Sequence, residues 1–385
     1  MKPHQLKLGE KKMFTTKAFF KLSSVKPVSI LIIFPFLCIG FLSGCSAEGN
    51  INGGTVNLPG WEIPEDPALE WVFPEDVGWS SAELQEAHAY ANQSGCQAVM
   101  ALYDGKVFFS RGNIHVNYAV GAIRKPFLSA LYGIHEARGN INLNATLEDY
   151  HIDDIPPGLT SAEEQARVEH LLMSRSGVYH KAADENQTMI ATRPARESHA
   201  PDTFFYYNNW DFNALGTIFE QETGEEIFNA FKKEIADKVE MVDFSIDNCF
   251  YQYEWNKSLH PAYQFKMSAR DMVKFGVLYQ KNGRWNGSRI IQNDWIDDST
   301  MAYSTMPNTD GLGYGYMWKI IEEDSDIGQM IGHAGYYHTG SGGDVLVIIP
   351  DLKLVIVEFY NSGQNWDVSG AAGFELSMLI LDARL

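Results

Sequence analysis

Lys125 stands at the head of an apolar helical pattern, Phe127, Leu128, Leu131, Tyr132 and Ile134, and three residues before it stands Ala122. Residues three apart share one face of a helix, a turn from each other. A serine at 122 would set its hydroxyl beside the lysine amine, the arrangement that activates a serine nucleophile. The amine is present and the hydroxyl is not. Ser129 does not stand in for it, since it falls about two turns further along the same helix, inside the core. Two later segments carry further groups suited to proton transfer. They are Tyr207-Asn208-Asn209, inside the aromatic run Phe204-Phe205-Tyr206-Tyr207 and ahead of Trp210, and His338-Thr339-Gly340-Ser341.

The eleven histidines show no metal-ligand spacing. His135-Glu136 lacks the second histidine of a zinc-protease helix, and His333 and His338 lie in a glycine-rich stretch. Gly340-Ser341-Gly342-Gly343 suits close strand packing and does not match a phosphate loop. The sequence therefore predicts no catalytic metal and no cofactor.

Caps, turns and periodicity indicate the elements that must position these groups. Ser80-Ser81-Ala82-Glu83 is a capping box that opens a helix to about residue 93. Apolar residues 98–103 and 106–110 flank Asp104-Gly105, a tight-hairpin signal. From 125 to about 279 the pattern is mostly helical, with helices at 166–175 before Gly177, at 212–222 before Gly224, and from Ser268 to about 280. Residues 314–321 read as one strand, 344–349 and 352–359 as an apolar hairpin around Pro350-Asp351, and about 370–381 as a last helix. Strands at both ends and helices between them predict an α+β fold. One antiparallel sheet is built from the N- and C-terminal segments and flanked by the first and last helices, with a helical insert at about 125–300 and a ligand cleft between the two parts.

With 385 residues, 45% hydrophobic and 13% aromatic, the chain has the composition of a packed globular protein. Its net charge of −19 is unevenly spread: residues 1–44 carry seven lysines and one glutamate, leaving −25 on the rest. So acidic a body argues against nucleic acid as a partner and against attraction to anionic lipid surfaces. The lysines precede an apolar stretch at 30–42, too short for a membrane-spanning helix and of the length of a signal-peptide core. It ends in Leu42-Ser43-Gly44-Cys45, which resembles a bacterial lipobox, whose cysteine is lipidated and becomes the first mature residue. The expectation is a leader at 1–44, a lipid on Cys45, a flexible polar tether at 45–60 and a folded domain at 61–385. The protein would then be anchored at the bacterial cell envelope, on the periplasmic or extracellular side. Cys96 and Cys249, the two cysteines of the body, are read as free thiols.

Taken in order, Ala122-Ile123-Arg124-Lys125, Tyr207-Asn208-Asn209 and His338-Thr339-Gly340 resemble the Ser-x-x-Lys, Tyr-x-Asn and Lys/His-x-Gly pattern of one serine hydrolase family. That family includes class C β-lactamases, low-molecular-weight penicillin-binding proteins, family VIII esterases and 6-aminohexanoate-oligomer hydrolases. The resemblance spans roughly 65–384 and extends to Leu171-Leu172-Met173-Ser174-Arg175-Ser176-Gly177, Asp104-Gly105-Lys106 and Tyr314-Gly315-Tyr316-Met317-Trp318. It implies a β-lactamase/transpeptidase-like fold and acyl-transfer chemistry. Lys125 would be the base or its electrostatic partner, and Tyr207 would protonate the leaving group. Asn209 would position Lys125 and the substrate amide. His338 would sit near the tyrosine, and Gly340 would lie in the substrate-binding strand. The oxyanion would be held by the backbone amides of Ala122 and Ser341. The chain departs from the family at Ala122, at Pro126 (commonly a small residue) and at Asp202, where Pro-Gly is frequent before the tyrosine motif.

With the nucleophile gone, the resemblance implies a catalytically impaired protein that binds a small-molecule or peptide ligand, an ester or amide. Two other readings compete. One is an active hydrolase of esters, amides or β-lactams, through a serine at 122 in the parent sequence or a water activated by Lys125 and Tyr207. The other is a structural envelope lipoprotein with no ligand.

Overall fold

A computed structural model describes residues 47–51, 54–58, 60–360 and 374–385. The leader, Cys45 and the start of the last predicted helix lie outside the described residues. Within the stretch read as a tether, Ala47–Ile51 and Gly54–Leu58 pair as a two-stranded antiparallel hairpin.

Asp104-Gly105 makes the turn its sequence predicts, both residues having positive φ, 50° and 85°, as a two-residue hairpin loop of type I′ requires. It joins β1 (Cys96–Tyr103) to β2 (Lys106–Gly112). The other strands of the sheet come from the C-terminal part: β3 (Ser304–Thr305), β4 (Gly313–Tyr314), β5 (Lys319–Ile321), β6 (Gly335–Thr339), β7 (Val345–Ile349) and β8 (Leu354–Tyr360). All neighbours are antiparallel in the order β3-β4-β5-β6-β7-β8-β1-β2. The two ends of the body thus meet at β8 and β1, with Leu354 opposite Tyr103.

Five helices frame the sheet and the site: α1 (Ser81–Gln93), α2 (Arg124–Glu136), α3 (Asn209–Thr223), α4 (Ala269–Gln280) and α5 (Glu375–Asp382). Side chains start three of them. Ser80 Oγ accepts from the Glu83 amide, Asn208 Oδ1 from the Trp210 amide and Ser268 Oγ from the Asp271 amide, satisfying donors that have no partner within the helix. α4 lies on one face of the sheet, where Gly276 comes close to Val355 and Leu346. α1 and α5 pack together on the other face. Trp79 Nε1 donates to the Ile380 carbonyl (2.9 Å) and the Ser80 amide to Ala383 (2.8 Å), tying first helix to last. With both faces covered, β7 is apolar and buried at every position, a continuous run without alternation.

Two predicted elements are corrected. The strand at 314–321 is two strands, β4 and β5, paired across a reversal in which Met317 takes φ 61°. The turn signal was Gly315, masked by the aromatic residues around it; its amide donates to the Trp318 carbonyl (2.8 Å). The helix at 166–175 shrinks to Val168–Leu172, because Ser174 turns to positive φ and its hydroxyl donates to the Tyr206 carbonyl (2.7 Å). Cys96 and Cys249 are both free. Among the described residues no helix is long and apolar enough to cross a membrane.

Candidate active site

Ala122 lies in a short 3-10 turn, Gly121–Ile123, that runs straight into α2. The turn is fixed on one side by the Val120 amide, which donates to the Phe265 carbonyl (3.2 Å). On the other side it abuts the end of β6. Gly121 has φ +51°, and a Cβ there would stand 2.6 Å from the Ser341 amide nitrogen and 2.9 Å from its Oγ. A Cβ on Gly340 would stand 2.7 Å from the Val120 carbonyl oxygen. Both positions therefore demand glycine. The resulting contact brings the Ser341 amide against the turn that carries Ala122. Ala122 itself is partly exposed.

Lys125 is 1% exposed. Its Nζ sits 4.8 Å from the ring centroids of both Tyr207 and Phe212, enclosed by aromatic faces. Among the described residues no carboxylate forms an ion pair with it. Burial, then the neighbouring Arg124, hold its pKa well below the ordinary lysine value. Lys319 adds to the effect and Asp184 opposes it. Tyr207 also touches Tyr314 edge-on at 5.8 Å and lies 6.4 Å from the His338 ring. Burial pushes its phenol pKa up, so the phenol is a proton donor at neutral pH.

His338 is fully buried, with Nδ1 3.1 Å from the Thr339 carbonyl oxygen. A carbonyl only accepts, so Nδ1 carries the proton and Nε2 is a bare acceptor, with no hydrogen-bond partner among the described residues. Burial, Lys319 and Lys125 hold the ring neutral.

The Leu171–Gly177 segment positions the tyrosine motif. Ser174 Oγ accepts from the Asn208 amide (3.0 Å), while Ser176 Oγ donates to Asp211 Oδ1 (2.5 Å), which also accepts from Asn208 Nδ2 (3.0 Å). Asn209 commits its Nδ2 to the Asp184 carbonyl, and its Oδ1 has no partner among the described residues. The structure thus groups Ala122, Lys125, Tyr207, His338, Gly340 and Ser341, with Asn209, the end of the tyrosine motif, at the start of α3.

Three residues of the site were not singled out from the sequence. Arg124 is wholly buried, pairs with Asp184 (Nη2 to Oδ2, 3.2 Å) and lies 4.9 Å over the Tyr263 ring; its Nε and Nη1 have no partner. Asp184, at φ 61°, also accepts from Gln264 Nε2 (3.0 Å). Lys319 Nζ donates to Thr339 Oγ1 (2.7 Å), and burial lowers its pKa to about 8. The one available signal was a charged residue inside an apolar run: Arg124 before the helix core and Lys319 between Trp318 and Ile320.

Comparison with known proteins bears on the family and the fold. Residues 88–377, well over half of the chain, match the sequence profile of the Beta-lactamase family, and the chain belongs to that family of β-lactamase-related serine hydrolases. Its fold is shared with the octameric penicillin-binding protein homologue from Pyrococcus abyssi (18% identity, TM-score 0.56, 78% of this chain and 76% of that one). It is shared too with a Bacillus anthracis protein described as a 6-aminohexanoate-dimer hydrolase (18%, 0.59, 83% and 87%) and with a β-lactamase from Mycobacterium bovis (15%, 0.53, 78% and 100%). An uncharacterized protein of Alkalihalophilus pseudofirmus is 28% identical over 102 residues, which are 25% of this chain and 30% of that relative's length.

Proposed function

We propose that this protein binds an amide, ester or peptide ligand at the Ala122–Lys125–Tyr207 site without acyl-enzyme turnover, and that a lipid on Cys45 holds it at the cell envelope. The observation that carries the reading is the alanine at the nucleophile position, in a site whose other parts are assembled. Alanine keeps the backbone amide needed to hold an oxyanion and loses the attacking oxygen. In serine proteases, loss of one triad member leaves only about 10³–10⁴-fold catalysis over water, so ordinary turnover is not expected.

The test is hydrolysis of a chromogenic ester and a chromogenic β-lactam by the chain without its leader, beside Ala122→Ser. Acylation or turnover by the serine variant alone supports a binder that has lost its nucleophile. Hydrolysis by the native protein, lost in Lys125→Ala, supports the water-activating alternative. If both proteins are inert and neither substrate binds the native chain, the binding reading fails.

A further inference from the structure

Without a hydroxyl at 122, Nζ of Lys125, three residues further along, is a nucleophilic atom left at this site. Its surroundings are those of a reactive amine. Two aromatic faces enclose it at 4.8 Å, no carboxylate among the described residues pairs with it, and a second cation, Arg124, is buried next to it on the same helix. Ala122 presents only a methyl group one turn upstream and is partly exposed, as is Tyr207 on the other side. The Ser341 amide lies against the same turn. We propose that Lys125 is itself a covalent nucleophile, forming a reversible imine with small aldehydes or ketones at this site.

The inference rests on the loss of serine chemistry argued above and goes beyond it by naming a ligand class. Attack on an ester would leave a permanent amide on the lysine, a dead end after one event. Attack on an aldehyde or ketone is reversible. The Nζ lone pair bonds to the carbonyl carbon, and the C=O π pair moves to oxygen, placed toward the Ala122 and Ser341 amides. The Tyr207 phenol, a proton donor here, protonates that oxygen and takes a proton back from nitrogen. The carbinolamine then expels the oxygen as water while nitrogen gives up its second proton. Both amine protons leave in the water, and nothing is oxidised or reduced. A desolvated lysine beside another cation is an established kind of activated nucleophile. Of the groups that face it, Arg124 (α2) and Lys319 (β5) disfavour the ammonium and Asp184 favours it. The phenol of Tyr207 and the imidazole of His338 (β6) are both neutral.

The experiment is reductive trapping of the native protein with propanal and cyanoborohydride near neutral pH, with the labelled lysines located by peptide mass mapping. Lys125 is expected to label at least about tenfold faster than Lys353, an exposed lysine. Its labelling should also rise to its plateau at lower pH. Arg124→Gln should move that rise to higher pH, because a repelling cation is gone, and Arg124→Lys should hold it in place. Equal rates and a shared pH profile at Lys125 and Lys353 overturn the proposal, in the native protein and so independently of whether any variant folds. Acylation of Ala122→Ser uses Lys125 as a base and not as a nucleophile. Its retention alongside absent trapping would reject this inference alone and leave the ligand-binding reading standing.

Discussion

At His338 burial decides charge, and charge decides how acid acts on the fold. The ring is enclosed, Lys319 and Lys125 repel its protonated form, and only the bond to the Thr339 carbonyl favours that form. Its pKa is therefore held well below 6.5. Between that depressed value and 6.5, the unfolded chain binds a proton that the native ring refuses, so stability rises with pH across this window and is flat above it. Each pH unit below 6.5, down to the folded pKa, is expected to cost about 1.4 kcal/mol through this residue. Urea unfolding of the native chain and of His338→Asn, from about pH 8 to about pH 5, checks the sign. The variant should gain on the native protein as pH falls, while His135, His170, His180 and His260, also depressed, cancel in the difference. Parallel curves would contradict a buried, neutral His338. The same enclosure that weakens the fold toward acid keeps Nε2 available as an acceptor beside Tyr207.

The site depends on segments being clamped, and Asp202 shows how one clamp tolerates an unfavourable residue. It sits at φ 65°, a conformation that glycine adopts without strain. Arg175 holds it there, with Nε donating to Asp202 Oδ1 (2.8 Å) and its own carbonyl accepting from the Asp202 amide (2.8 Å). A left-handed conformation costs a non-glycine residue about 1 kcal/mol, and a half-exposed ion pair returns about 0–1 kcal/mol. Asp202→Ala loses the pair and keeps the strain, whereas Asp202→Gly loses both. Denaturant unfolding should place the glycine variant about 1 kcal/mol above the alanine variant and close to native. Equal stabilities would mean the loop does not hold this conformation in solution. Much of this architecture was legible because local chemistry marks it: Ser80 and Ser268 cap helices, and Asp104-Gly105 turns a hairpin. The split of 314–321 was missed, since Gly315 and Lys319 stand singly among large apolar residues that read as one strand. Lys125, Tyr207 and His338 were found through ordered motifs. Arg124, Asp184 and Lys319 were missed because their roles come from tertiary placement. Lys319 reaches Thr339 only because β5 registers with β6, Lys319 opposite Tyr337, and Asp184 meets Arg124 from a loop sixty residues away.

For the molecule as a whole, charge and the proposed anchor pull in opposite directions. A body carrying −25 beyond residue 44 is repelled by an anionic lipid surface, although salt confines that repulsion to roughly 8 Å. Electrostatics therefore cannot be what holds such a protein at a membrane. A lipid can: each buried CH₂ contributes about 0.8 kcal/mol, so acyl chains on Cys45 outweigh a screened repulsion many times over. The proposed attachment point is Cys45, in Leu42-Ser43-Gly44-Cys45 at the end of the apolar stretch 30–42. Detergent phase partitioning of the full chain expressed in a bacterium tests it. The native protein should enter the detergent phase and shift in mass at Cys45, and Cys45→Ala should lose both properties while keeping ligand binding at the Lys125 site. A native protein that stays in the aqueous phase with an unmodified Cys45 would remove the anchor from the proposal. The site argument, which draws on no residue before Trp61, would be untouched.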